Sequence, residues 1–316
     1  MKYYIGIDLG GTNVAAGIVQ EDGTLVAKSS VPCPRGGEPV ADAIALSARQ
    51  AAGAAGVTVE GAAGMGLASP GSIDPEQGVV GHAFNLGLDH VPLAQMVSQR
   101  LSGVTTVLEN DANAAALGEF VAGAGRGYDS LVAVTLGTGV GSGAVLGGKL
   151  YTGFNYAGME AGHTVIRRGG RACTCGRKGC WEAYASATGL ITSTREAMAA
   201  HPDSALWKLA PTLEAVNGKT VFDAAQAGDA VAQAVVDEYV EDLACGLANL
   251  INILQPQVLC IGGGISGQGE ALLAPVRRVL EREEFTRDAP RRCKVLPARL
   301  GNDAGIIGAA LVGLYR

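Results

Sequence analysis

Three of the seven cysteines in this 316-residue chain fall within eight positions, in the run Cys173-Thr174-Cys175-Gly176-Arg177-Lys178-Gly179-Cys180. Cysteines packed this closely in a reducing compartment point to metal binding or reactive sulfur. Gly176 and Gly179 soften the Cys-x-Cys-x4-Cys spacing, so three thiolates can converge on one ion. His163, one of four histidines, lies just upstream and supplies a fourth ligand for tetrahedral Zn²⁺. The competing reading is a set of unrelated thiols, which the compactness disfavours. A full set of four protein ligands, His163, Cys173, Cys175 and Cys180, leaves no open position and marks a structural zinc. Glu160 and Glu182 bracket the stretch.

Two further segments resemble each other. Ile7-Asp8-Leu9-Gly10-Gly11-Thr12-Asn13-Val14 and Val134-Thr135-Leu136-Gly137-Thr138-Gly139-Val140 each read as strand, Gly-Thr turn, strand. Such turns expose backbone N–H groups and a hydroxyl in a small concavity, which suits phosphate oxygens. The plainer reading is two glycine hairpins. Asp8 tips the first towards function, because an acid at a strand end beside a phosphate loop suits Mg²⁺ held through water. The repeat also suggests two related domains. Glu109-Asn110-Asp111 ends a strand and opens a helix, a common place for active-site residues in α/β folds. On propensity alone, Asp111 reads as a helix N-cap.

Two other nucleotide patterns fail. Gly143 to Lys149 approaches a P-loop, but Leu150 stands where Ser or Thr must hold magnesium. Gly262 to Gly267 satisfies G-x-G-x-x-G, with Glu281 downstream as a ribose partner. That supports an NAD oxidoreductase only weakly in a chain with 47 glycines.

The elements that must position these groups alternate between strand and helix, so the class is α/β. Strands are expected over residues 3–9, 13–20, 24–31, 64–68, 104–108, 131–136, 140–146 and 258–261, with a further one near 295–296. Helices are expected over 38–55, 93–101, 111–120, 182–199 and 229–254, from about 270 to 284, and over 304–314. Residues 69–89 read as one long functional loop. Hydrophobic residues make up 48% of the chain, enough for a large core, and the net charge is −6. That charge argues against a phosphate-tracking nucleic-acid binder. The acid and glycines near the N-terminus exclude a signal peptide. The apolar stretch from Leu243 to Gly262 is too interrupted to span a membrane. A cytoplasmic protein is expected.

In order along the chain stand Asp8-Leu-Gly-Gly-Thr12, Pro70-Gly71-x-x-Asp74, Glu109-Asn-Asp111-Ala-Asn113 and Leu136-Gly-Thr-Gly139. Glu160-x-Gly-His163 and Cys173-x-Cys-Gly-x-x-Gly-Cys180-x-Glu182 follow. Together they resemble the ROK family of sugar kinases and repressors, most closely its bacterial glucokinases, over nearly the whole chain. The repressors carry an N-terminal DNA-binding segment, and this chain opens on the first phosphate strand, so the kinase branch is expected.

The resemblance implies an actin-like ATPase (ribonuclease H-like) fold of two domains, with ATP and sugar in an interdomain cleft. Residues 1–112 would form the smaller domain and 113–302 the larger, with the helix at 303–316 packing back on the first. Asp111 would be the general base for a hexose hydroxyl. Gly71, Asn85, Asn110, Glu160, His163 and Glu182 would contact the sugar. Asp8, Gly10, Gly11, Thr12, Asn13, Gly137, Thr138 and Gly139 would serve Mg-ATP, with Gly262, Gly263 and Gly264 near the adenosine. His163 would bind zinc through one ring nitrogen and offer the other to the sugar. Glucose is the expected substrate, with N-acetylmannosamine, N-acetylglucosamine, allose or fructose as alternatives and a sugar-sensing regulator as the other class. A homodimer or homotetramer is expected. Leu86-Gly-Leu-Asp-His90 follows Asn85 where many relatives carry a tryptophan, Ala161 replaces a larger aliphatic residue, and Trp181 replaces an aliphatic one.

Overall fold

The computed structural model describes residues 2–316. Its strands are β1 (Tyr3–Leu9), β2 (Asn13–Gln20), β3 (Leu25–Pro32), β4 (Met65–Ser69), β5 (Ser72–Asp74), β6 (Val79–Ala83), β7 (Leu88–Val91) and β8 (Thr106–Asn110). β9 (Leu131–Leu136), β10 (Val140–Leu146), β11 (Lys149–Tyr151), β12 (Val258–Gly262) and β13 (Lys294–Pro297) follow. The helices are α1 (Gly37–Ala54), α2 (Leu93–Arg100), α3 (Asp111–Ala122), α4 (Glu182–Ala185), α5 (Ala187–Ala200) and α6 (Leu206–Leu209). Four more complete the set: α7 (Thr220–Gln226), α8 (Ala230–Leu254), α9 (Glu270–Glu283) and α10 (Asp303–Tyr315).

The chain divides into two compact units. One comprises Met1–Ala133, Gly143–Met159 and Ala298–Arg316; the other comprises Val134–Ser142 and Glu160–Pro297. The first is built on a sheet of order β3-β2-β1-β4-β8. β1 runs antiparallel to β2 and parallel to β4, and β4 runs parallel to β8. The register aligns Asp8 with Ala68 and Ala68 with Glu109. Asp8 and the Glu109–Asp111 segment therefore share one end of the sheet, the carboxyl ends of its parallel strands.

Ile5, Ile7, Val14, Leu67 and Leu108 of this sheet pack with Val40 and Ile44 of α1 in one buried cluster. Each such side chain contributes about 1.5–3 kcal/mol by leaving water. The sheet also packs against α10, whose apolar face carries Ile306, Ile307 and Leu311. Glycines permit this contact. A Cβ at Gly6 would overlap the Ile306 carbonyl, and one at Gly66 the Ala309 carbonyl. Part of the glycine excess therefore serves close packing rather than turns.

The second sheet has the order β11-β10-β9-β12-β13. α8 is the longest helix. Its Asp229 cap accepts from the Ala232 amide at 2.8 Å, and Tyr239, Leu243, Leu247 and Ile251 are buried along one stripe. It ends at Gln255, whose φ of 44° turns the chain just before Pro256.

Two expectations are corrected. Residues 69–89 are not one loop, because β5, β6 and β7 form a three-stranded antiparallel sheet there. Pro70, Gly71, Pro75, Gly78 and Gly87 lie in the bends and turns before and between these strands, while Gly81 lies within β6. The helix expected over 182–199 is broken at Ser186, whose extended backbone ends α4 and whose hydroxyl accepts from the Gly189 amide to start α5. Among the described residues, no helix is long and apolar enough to cross a membrane.

Candidate active site and metal centre

In the first unit, the β1–β2 turn closes on itself. The Gly10 amide donates to the Asn13 carbonyl at 3.0 Å, and the Cys33 amide donates to the Thr12 carbonyl at 2.8 Å. Asp8, Gly11, Thr12 and Asn13 line a cavity of about 640 Å³ with Lys28 and Asp303. Burial, reinforced by the negative charge of Asp111, pushes the Asp8 carboxyl up to about 6. Gly305 makes room for that carboxylate, since a Cβ there would stand 2.6 Å from Asp8 Oδ2.

The start of α3 resolves the competing readings of Asp111. The cap is Asn110. Its Oδ1 accepts from the amides of Ala112 at 2.9 Å and Asn113 at 3.2 Å. Asp111 stands one residue later, in the first turn. Glu109, fully buried, pins the segment by accepting from the Asn110 amide at 2.9 Å, Asn113 Nδ2 at 3.1 Å and Arg316 Nη2 at 3.0 Å. Asn85 lies beside the Gly10–Gly11 turn, its Nδ2 3.1 Å from where a Gly11 Cβ would be. Gly71, at φ 83°, packs directly on the His82 carbonyl and admits no side chain.

In the second unit, the Gly137 amide donates to the Gly139 carbonyl at 3.0 Å, echoing the first turn. Glu182, the first residue of α4, accepts from the Val140 amide at 3.0 Å. A Cβ at Gly162 would overlap the Val140 carbonyl, so the Glu160–His163 segment is pressed against the same strand. A Cβ at Gly263, with φ 86°, would stand 2.5 Å from the Leu136 backbone. Close approach thus sets the Gly262–Gly264 turn beside the 137–139 turn. A cavity of about 630 Å³ is lined by Thr138, Gly139, Cys173, Glu182, Ser186 and Thr188, among others. Within the motif itself, Gly264–Gln268 forms a short 3₁₀ turn, and α9 starts only at Glu270. The helix that a dinucleotide-binding motif requires directly after its glycines is therefore displaced.

His163, Cys173, Cys175 and Cys180 converge, with their ligand atoms within 4.8 Å of one another. Cys173 Sγ lies 3.7 Å from His163 Nδ1, and Cys175 Sγ lies 3.7 Å from Cys180 Sγ. A tetrahedral zinc ion sets S–S edges of about 3.8 Å and S–N edges of about 3.6 Å, so the set fits. Turns hold the sulfurs in place. The Cys173 amide donates to the Arg177 carbonyl at 2.9 Å, and the Gly176 amide to the Cys173 carbonyl at 3.0 Å. Burial pushes the Cys180 thiol up to about 12, while the backbone N–H of Arg177 holds Cys175 below its usual range.

This cluster is bolted to α8. Trp181 is fully buried, and its Nε1 donates to the Asp242 carbonyl at 3.0 Å. Gly246 leaves space for the indole, because a Cβ there would overlap the ring. Arg167 reaches Asp242 with Nε at 3.0 Å and Nη2 at 2.7 Å.

The sequence did not single out Lys28, Asp303, Ser186 or Thr188. Thr188 Oγ1 donates to the Thr138 carbonyl at 2.8 Å, and Lys28 Nζ lies 2.7 Å from Asp303 Oδ1. Gly301-Asn302-Asp303 before an apolar helix and Ser186 before α5 were the available signals, and both read simply as helix starts.

Residues 4–314 match the family described as "ROK family". The glucokinase of Thermotoga maritima is 41% identical over 98% of this chain and 96% of its own length. The structure of a ROK family glucokinase from Streptomyces griseus in complex with glucose and AMPPNP superposes with a TM-score of 0.81. It is 37% identical and covers 98% of both chains. The ROK hexokinase of Thermus thermophilus gives a TM-score of 0.84 at 35% identity, covering 98% of this chain and 97% of its own.

Proposed function

This chain belongs to the ROK family and has the actin-like, ribonuclease H-like α/β fold of its members, and from that we propose that it phosphorylates glucose to glucose 6-phosphate at the expense of ATP. The observation that carries the reading is the placement of Asp8 and Asp111 at one end of the first sheet, close enough for the charge of Asp111 to raise the Asp8 carboxyl. An acid pair beside a Gly-Thr turn is what a kinase needs, one acid for the metal and one for the acceptor hydroxyl. Glucose is favoured among hexoses by the Thermotoga and Streptomyces relatives.

Asp111 accepts the proton of the glucose 6-hydroxyl as its oxygen bonds to the γ-phosphorus and the bond to the β-phosphate oxygen breaks. An alcohol is a weak acid, so the proton moves late. Thr12, Asn13 and the backbone amide of Gly11 hold phosphate oxygens in the turn that Gly10 closes, as do Thr138 and Gly139 in the turn that Gly137 closes. Gly262, Gly263 and Gly264 border the adenosine. Asp8, ionised, would hold Mg²⁺ through water. Bound Mg²⁺ neutralises charge on the transferring phosphates. Asn110, Glu160, His163 and Glu182 orient the sugar hydroxyls with Asn85 and Gly71, which selects by hydrogen-bond geometry.

His163, Cys173, Cys175 and Cys180 would hold a structural zinc, which fixes the positions of Glu160 and Glu182 and takes no part in the transfer. With Nδ1 of His163 facing the sulfurs, Nε2 is left for a sugar hydroxyl. The enzyme works in the cytoplasm, where ATP and reduced thiols coexist, as a homodimer or homotetramer. An ADP-release assay across glucose, N-acetylmannosamine, N-acetylglucosamine, allose and fructose tests the reading. The highest kcat/KM is expected with glucose. A higher value with another sugar would replace the substrate, and no ADP release with any would overturn the kinase.

A further inference from the structure

His82, Asp89 and His90 form a second group of metal-ligating side chains, separate from the cysteine cluster. Asp89 Oδ1 lies 2.9 Å from His82 Nδ1 and 2.7 Å from His90 Nδ1. With one atom counted from each residue, all three lie within 4.8 Å of one another.

The backbone builds this convergence. β6 and β7 are antiparallel, and their register sets His82 directly opposite Asp89. Opposed residues project to the same face of a sheet. His90 is the next residue along β7 and by strand alternation would point to the other face. Its φ of 50° breaks the alternation and brings the ring round. A non-glycine residue in this region carries about 1–2 kcal/mol of steric strain. His82 stacks on Phe84 with centroids 5.4 Å apart and meets His90 edge-on at 4.8 Å, so both rings are oriented.

We propose that His82, Asp89 and His90 form a surface binding site for a divalent transition-metal ion such as Zn²⁺. Two imidazole nitrogens and one carboxylate oxygen are a donor set that suits such ions, with water completing the shell. Zinc–nitrogen and zinc–oxygen bonds of about 2.0–2.1 Å set tetrahedral edges of about 3.3–3.4 Å. The side chains must therefore open by roughly half an ångström, which three exposed residues can do. Metal-free, the two rings share the Asp89 carboxylate as hydrogen-bond donors. Bound metal clasps the base of the segment from Ala83 to Leu88. That segment carries Asn85, so any influence on the sugar rests on the hexokinase reading, whereas the site itself does not.

The test is metal content. Full-length wild-type protein and the variants His82→Ala and His90→Ala are equilibrated with micromolar free Zn²⁺, and bound zinc is counted by elemental analysis. The wild type is expected to hold one more zinc ion per chain than either variant. With Co²⁺ in place of zinc, that extra equivalent should add absorption without a thiolate-to-metal charge-transfer band. Equal zinc in wild type and both variants would overturn the proposal, as would thiolate charge transfer on the extra equivalent. Neither read-out depends on kinase activity.

Discussion

Glu182 Oε2 accepts the Val140 amide at 3.0 Å, while its Oε1 lies 3.8 Å from Cys173 Sγ. One carboxylate therefore joins the cysteine cluster to the Gly137–Gly139 turn. Loss of a group that orients a site in this way typically costs about 10–100-fold. Glu182→Ala should raise KM for both glucose and ATP, within about that range. Glu182→Gln keeps an acceptor for the amide and should lose less. Steady-state kinetics with each substrate varied in turn checks both. A change confined to glucose would mean that Glu182 touches sugar without supporting the turn.

Removing zinc should act on the same link. The cysteine turns are held by backbone bonds, but without an ion their thiols no longer share a centre. Chelation is expected to raise the glucose KM and to expose Trp181, which is fully buried. Trp181 fluorescence should shift to longer wavelength as glucose affinity falls, and added zinc should reverse both. Unchanged glucose affinity in zinc-free protein would contradict the structural role.

Much of this arrangement was legible in residue spacing. The paired Gly-Thr turns and the cysteine spacing are local patterns, and a local pattern survives folding. The capping assignment was not legible. Asn110 and Asp111 are adjacent and both are good caps, so only the backbone shows that Asn110 takes the role. The strands within 69–89 were hidden because they are three to five residues long and divided by Gly and Pro. Gly6 and Gly66 lie within expected strands and Gly246 within an expected helix, where no turn calls for glycine. Their purpose lies in partners far along the chain, Ile306, Ala309 and Trp181, which no local reading pairs.

Asp8 should give the protein a characteristic pH dependence. Its folded carboxyl titrates at about 6 against an ordinary 3.8, so the native state binds the proton more tightly. The associated stability is present below the unfolded value and is lost as pH rises through about 6. Asp8→Asn has no such titration. In magnesium-free buffer the variant should be the more stable at about pH 8, by roughly 2–3 kcal/mol, with the difference fading towards pH 4. Denaturant midpoints across pH check this, and a constant difference would contradict it. The same variant should lose phosphotransfer at every pH.

Gly246→Ala tests how firmly the cysteine cluster depends on α8. The new methyl would overlap the Trp181 indole. Overpacking of this kind costs typically about 1–3 kcal/mol. The variant should melt earlier and release zinc faster to a chelator, because Trp181 adjoins Cys180. Wild-type melting together with wild-type zinc release would show that the indole does not anchor the site.

The most direct measurement is the turnover of Asp111→Asn with glucose and ATP. Asparagine keeps the shape of the side chain but cannot accept the hydroxyl proton as a base. Proton transfer by a positioned side chain contributes about 10²–10⁴-fold, so kcat should fall by at least ~10²-fold. Glucose binding, measured by calorimetry, should stay close to that of the wild type. Turnover near the wild-type rate would contradict the role of Asp111 at the centre of this account.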